Sequence, residues 1–275
     1  MGKVKIKRKS TLIDMTAMSD VTVLLLTFFM LTSTFLTKEP VTVVTPSSVQ
    51  EEKVPMSNLA TVLVSPQGQV FLAVTGEADP DAAMKNKEEL NLTDEEAKEL
   101  KGKWASEPIR MEILENALKS YNSKFPEGDK RRVALTQEQK NKFVKLGSFG
   151  VPIKDLPRFL DLSDTDKDQL FAKFYKMTPE EQAAYNNDPN NIHVGIPIDG
   201  NRDVTDPRKR NDFQIWMQAL IQTSNPMLTS AVKKGDALAV KADRGTPYST
   251  MHPVLDNLQS LKLTRMKLMT ALKER

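Results

Sequence analysis

The sequence predicts a single N-terminal transmembrane helix followed by an α+β domain, a small mixed sheet with two helices, carrying a mainly helical insertion. Three observations lead there: an uncharged run of 16 residues at 21–36 behind a basic start, a hairpin pattern at 61–64 and 69–74, and a strand-then-helix pattern at 237–261. Of the 275 residues, 39 are Lys or Arg and 36 Asp or Glu, with no Cys and two His. Without Cys there is no disulfide and no thiolate zinc site, and His193 and His252 cannot alone build a histidine-rich metal site. No cofactor is implied. A net charge of +3 is too small for a general nucleic-acid binder, so no nucleic-acid partner is expected.

Residues 1–14 open with Lys3, Lys5, Lys7, Arg8 and Lys9, and the next charges are Asp14 and Asp20 alone until residue 38. Residues 15–36 read as the transmembrane helix, since 22 residues at 1.5 Å each reach about 33 Å across a hydrocarbon core of about 30 Å. Five cations precede this run and only Lys38, beside Glu39, follows closely. That asymmetry places the N-terminus in the cytoplasm and the remainder across the membrane. A cleaved signal peptide fits less well, because two aspartates precede the apolar run and no small-residue cleavage site follows it. A core helix of a soluble protein would be amphipathic, which this one is not.

Asp20 stands inside the apolar segment. A carboxylate near mid-bilayer costs about 2.5–3.5 kcal/mol on insertion scales, less toward the interface. Asp20, Thr27 and Thr34 recur every seven residues, a spacing that drifts only about 20° per step on a helix. Thr16 lies one turn before Asp20, so Thr16, Asp20, Thr27 and Thr34 form a polar stripe that should face protein or water. Desolvation disfavours a charged carboxyl, so Asp20 alternating between an apolar surround and an aqueous half-channel would load and release protons. The other reading puts Asp20 at headgroup depth, solvated at the helix start. Asp14 belongs at the interface near the helix N-terminus, where negative charge is favourable.

Residues 37–58, rich in Thr, Pro, Ser and Val, read as an extended linker interrupted by Pro40, Pro46 and Pro55. In the hairpin, Val62 and Val64 face Val70, Leu72 and Val74 across the type I turn chemistry of Ser65-Pro66-Gln67-Gly68. Toward the C-terminus, Asp212 can cap a helix bearing Ile215, Trp216, Ala219 and Leu220. A strand covers 237–243, and a helix starts at Ser249 or Thr250 with Met251, Val254, Leu255, Leu258 and Leu261 at helical spacing. Pro253 is tolerable there only because it falls in the first turn.

The insertion, 77–210, offers capping boxes at Thr93–Glu96 and Thr178–Glu181 and further helices at 109–121, 137–146 and 165–177, with an irregular stretch from Asp188 to Arg210. Two motifs inside it fail on chemistry. Asp164, Asp166 and Asp168 start like a calcium loop, but Gln169 replaces the required glycine and Tyr175 the bidentate glutamate. Gly147-Ser148-Phe149-Gly150 is one residue short of a nucleophile elbow. Neither a phosphate loop nor a dinucleotide fingerprint is present, and the chain is not expected to be an enzyme.

The run Ile13-Asp14-Met15-Thr16-Ala17-Met18-Ser19-Asp20-Val21, continued by Leu24-Leu25-Leu26-Thr27-Phe28-Phe29, resembles the membrane segment of the ExbD/TolR family of biopolymer transporters. The strand, Asp243 and Pro247-Tyr248 before the last helix are similar to the end of that family's periplasmic domain, and the resemblance favours a closing strand at 264–270. It thus assigns 59–76 and 211–275 to the α+β domain. It implies a bacterial inner-membrane protein with its C-terminal domain in the periplasm, Asp20 as the proton-translocating group and protons as the coupling ion. It also implies two copies within a pentameric ExbB-like ring and a TonB-like transducer serving outer-membrane transport. A TolR-like envelope or stator role, or a passive membrane-anchored scaffold, would share much of this pattern.

Overall fold

The computed structural model describes residues 15–32, 40, 47–48, 55, 57–243, 245–269 and 271–272. The chain divides into two compact units, Met1–Lys38 and Glu39–Arg275. In the first, the apolar run forms α1, Met15–Thr32.

In the second unit, β1 (Ser47–Ser48) precedes the alternating pattern, which folds as β2 (Leu59–Val64) and β3 (Val70–Thr75), antiparallel with Val62 opposite Leu72 and Val64 opposite Val70. The turn forms as its residues require. Gly68 N–H donates to Ser65 O at 3.0 Å and Gly68 takes φ +92°, a conformation open to glycine without steric cost. Four more strands follow, β4 (Ser148–Phe149), β5 (Leu238–Ala242), β6 (Lys267–Leu268) and β7 (Ala271–Leu272). The main sheet runs β4-β3-β2-β5-β6, with β5 parallel to β2 and β6 parallel to β5, while β1 pairs with β7. It is the small mixed sheet expected. Its closing strand falls within 264–270, and β4, which lengthens the β3 edge, comes from the Gly147–Gly150 run that carried no strand signal.

Between β3 and β4 lie α2 (Ala82–Lys85), α3 (Asp94–Glu99), α4 (Ser106–Asn122) and α5 (Gln137–Val144). After β4, a 3-10 turn at Ile153–Asp155 leads to α6 (Leu156–Asp161), α7 (Asp164–Phe174) and α8 (Pro179–Asn187). The chain from 188 to 210 is irregular, as its composition suggests. Then come α9 (Asp212–Ile221), α10 (Pro226–Lys234) and α11 (Tyr248–Ser260).

The caps explain several boundaries. Thr93 and Thr178 form the expected capping boxes with Glu96 and Glu181, and Thr136 with Gln139 and Asn211 with Gln214 form two more. Three sequence readings are corrected. Asn211, not Asp212, caps α9, because the side-chain Oδ1 of Asn211 is the one within reach of Gln214 N–H, at 2.8 Å. Pro253 falls in the second turn of α11 rather than the first, since the helix opens at Tyr248; the proline there can donate no hydrogen bond to the turn before it. And α10 is a third helix beside the two expected, capped by Asn225, opened by Pro226 and ended by Gly235 at φ +88°.

The residues of 77–210 share one core with the sheet. On α4, Ile109, Ile113, Leu114 and Ala117 recur at helical spacing and are buried, and α4 packs along α9. Trp216 of α9 stacks on Phe143 of α5 at 5.7 Å between ring centroids and meets Phe149 of β4 at 4.6 Å. Arg110 ties the layers together, its Nε donating to Val74 O and Nη1 to Val144 O, both at 2.9 Å. On the sheet's other side, Leu63 and Phe71 pack with Phe174 and Val194.

Asp212 is buried beside this core and accepts from Ile153 N–H at 2.8 Å. Burial raises its carboxyl above the ordinary 3.8, although the Ile153 bond and the nearby Lys124 and Lys154 act in the opposite direction. A raised folded value means that the native state binds more protons than the unfolded chain between the two values, so stability falls as pH rises through that window. Asp212→Asn keeps an oxygen for Ile153 and removes the buried charge. Its melting temperature should gain on wild type as pH rises from about 4 to about 7; thermal melts across that range check this, and a gain that stays flat or shrinks contradicts it.

Candidate functional site

α1 carries the residues singled out from the sequence. Its apolar side chains point outward all round: Leu24 is 60% exposed, Leu26 70% and Leu31 87%. Burying a side chain of this size contributes roughly 1.5–3 kcal/mol, so such a surface calls for a partner or lipid around it. Thr22 and Thr27 hide their polarity within the helix. Thr27 Oγ1 donates to Val23 O at 3.0 Å and Leu24 O at 2.9 Å, and Thr22 Oγ1 donates to Met18 O at 2.6 Å. A hydroxyl satisfied by its own helix is tolerated in an apolar surround.

Asp20 has no such internal recourse, being an acceptor when ionised. It is exposed, and it makes no ion pair with another described residue. Asp20 and Thr27 share a face of α1, as their spacing of seven requires. Thr16 lies in the first turn of α1, while Thr34 and Asp14 lie outside the described residues. Thr22, overlooked in the stripe, stands two positions from Asp20 and therefore on the opposite side of the helix, its polarity satisfied by the backbone. The outer surface of α1 thus carries one ionisable group on an apolar cylinder.

Length qualifies the membrane reading. Among the described residues no helix is long and apolar enough to cross a membrane. α1 has 18 residues, about 27 Å at 1.5 Å each, against 22 expected from the sequence; residues 33–36 lie outside the described part. No cluster of three or more His, Cys, Asp or Glu that could hold a metal occurs among the described residues. The acidic run at 164–168 begins α7, where Ser163 Oγ accepts from Asp166 N–H, which accounts for it as helix-start chemistry.

A family model described as biopolymer transport protein ExbD/TolR matches residues 7–147, which include α1, β2 and β3. The chain belongs to the ExbD/TolR family. No curated protein and no solved structure matches it. Membership in the ExbD/TolR family carries a role in energy transduction for biopolymer transport. The family is generally anchored in the inner membrane and works with ExbB- or TolQ-like membrane proteins and TonB- or TolA-like partners. The match runs on through α4 and α5, into the 77–210 segment that the sequence reading set apart as an insertion, and stops before β5, α11 and β6 complete the sheet.

Proposed function

We propose that this chain is the single-pass subunit of a proton-driven motor of the ExbB–ExbD type, with residues 15–36 as its membrane helix and Asp20 as its proton carrier. The observation that carries the proposal is the isolated Asp20 on an otherwise apolar, outward-facing helix. A carboxylate surrounded by apolar side chains is costly and takes up a proton to become neutral; on reaching water it releases that proton. A helix surface of Leu, Phe and Val with one such group can therefore sit in a close-fitting ring only when neutral. Alternating proton uptake and release at Asp20 turns the gradient into movement of the helix against the ring.

On this reading two copies of α1 occupy a pentameric ExbB-like ring, and residues 59–275 form a periplasmic head that passes force to a TonB-like transducer serving outer-membrane transport. The chain itself catalyses no covalent chemistry. Extraction from membranes with mild detergent and mass analysis of what accompanies the chain tests the assembly. A polytopic partner in a five-to-two ratio is expected; recovery of the chain in the aqueous fraction without detergent refutes the membrane assignment.

A further inference from the structure

A cleft of about 400 Å³ opens at the β2–β3 turn, between the 3-10 turn at Ile153–Asp155 and the run 193–198. Among the described residues no carboxylate lines it, and the ionisable lining groups are Lys154 and His193. Lys154 is exposed and makes no ion pair with another described residue. His193 is fixed from behind: its Nδ1 bonds Asp155 Oδ2, and its backbone N–H donates to the same oxygen at 3.3 Å. Asp155 is only 4% exposed, so the carboxylate is withdrawn from the cleft and its bond to Nδ1 leaves Nε2 as the free ring nitrogen.

The walls are braced independently of any ligand. Asn186 bonds both the N–H and the carbonyl of Val194 at 3.0 Å, Gly195 N–H donates to Gly150 O at 2.7 Å, and Ile196 N–H donates to Val70 O at 2.8 Å. A cleft held open this way loses little on binding, which is what a preformed ligand site requires. Past Gln67, Gln69 and Asn186 it adjoins a second hollow of about 340 Å³. We infer that this cleft binds a carboxylate-bearing ligand, with Lys154 and the imidazolium form of His193, which donates from Nε2–H while Nδ1–H stays on Asp155, holding the carboxylate and the second hollow taking the body that bears it. Its volume is at the small end for ligand sites, which suits a short peptide ending in a free carboxyl or a small organic acid.

The chain contains its own control. Its other histidine, His252, also faces a carboxylate, Asp256, at 3.2 Å from Nδ1, but is 51% exposed on α11 and lies outside the cleft. Full-length protein in detergent, labelled with ¹⁵N-histidine, is titrated with acetyl-Ala-Ala-Ala carrying a free carboxyl, with its C-terminal amide, and with succinate. The His193 ring signals should shift saturably with the free-carboxyl peptide, those of His252 should stay put, and the amide should have no effect. Succinate shifting His193 as strongly identifies the free acid as the source of the carboxylate; a response to the peptide alone identifies a chain end. Lys154→Met, an exposed change that leaves the fold alone, should weaken binding about tenfold, the loss of one charge-assisted hydrogen bond. An amide that binds as well as the acid, equal shifts at His193 and His252, or no shift at His193 overturns the inference.

Discussion

Asp20→Asn is expected to reduce energised transport to the level of cells lacking the protein, while the variant still enters the membrane and co-purifies with its ring partner in unchanged amount. Asparagine matches aspartate in size and is neutral at every pH, so packing survives and only the proton cycle is lost. Insertion should improve slightly, because a permanently neutral side chain avoids the cost of about 2.5–3.5 kcal/mol that a charged one meets near mid-bilayer. Asp20→Glu preserves the chemistry on a longer arm and should retain part of the activity. Thr27→Val, by contrast, removes a hydroxyl already satisfied by Val23 and Leu24 carbonyls and should leave transport nearly intact. Transport assays paired with complex recovery separate these outcomes. Full transport by Asp20→Asn would remove the proton-carrier role.

Trp216→Ala should destabilise the head by about 3–5 kcal/mol, a large share of the roughly 5–15 kcal/mol that holds a domain folded. Trp216 is fully buried and touches Phe143 from α5 and Phe149 from β4, so its loss opens a cavity where three parts of the chain meet. The damage should reach 77–210 and the sheet together, as one unfolding transition at lower denaturant. Trp216→Phe should cost much less, because the indole N–H has no hydrogen-bond partner among the described residues and only volume is lost. Denaturant titrations followed by far-ultraviolet circular dichroism and by Trp104 fluorescence in the variants measure both. Two separated transitions, one of them unmoved by the substitution, would show that 77–210 folds apart from the sheet.

What could be read from the residues was local. The alternation around Ser65–Gly68 sets the β2–β3 pairing, and a Thr three residues ahead of a Glu sets the starts of α3 and α8, because each signal and its consequence lie within one turn. Asp20 was legible for a different reason: its cost has no local remedy, so the sequence alone demands a use for it. The misses share the opposite property. α10 is only nine residues long and buries only Leu228 and Val232, a run shorter than the window over which a helical period is counted, although Asn225-Pro226 and Gly235 mark its two ends. Asp212 resembles a cap by type, but Asn211 beside it takes that role with Gln214, and Ile153 from 59 positions away engages the Asp212 carboxylate. His193 and Asp155, 38 positions apart, come from an irregular run and a 3-10 turn, neither of which has a period to read. The joining of 77–210 to the sheet rests on aromatic contacts that no spacing rule anticipates.

The proton-carrier role of Asp20 is tested most directly by proton flux through the purified chain and its ring partner in sealed vesicles, with an imposed pH gradient and a pH-sensitive dye trapped inside. Wild type should acidify the interior when the gradient is applied, Asp20→Glu should do so more slowly, and Asp20→Asn should match empty vesicles. Flux through Asp20→Asn equal to that of wild type would contradict the account.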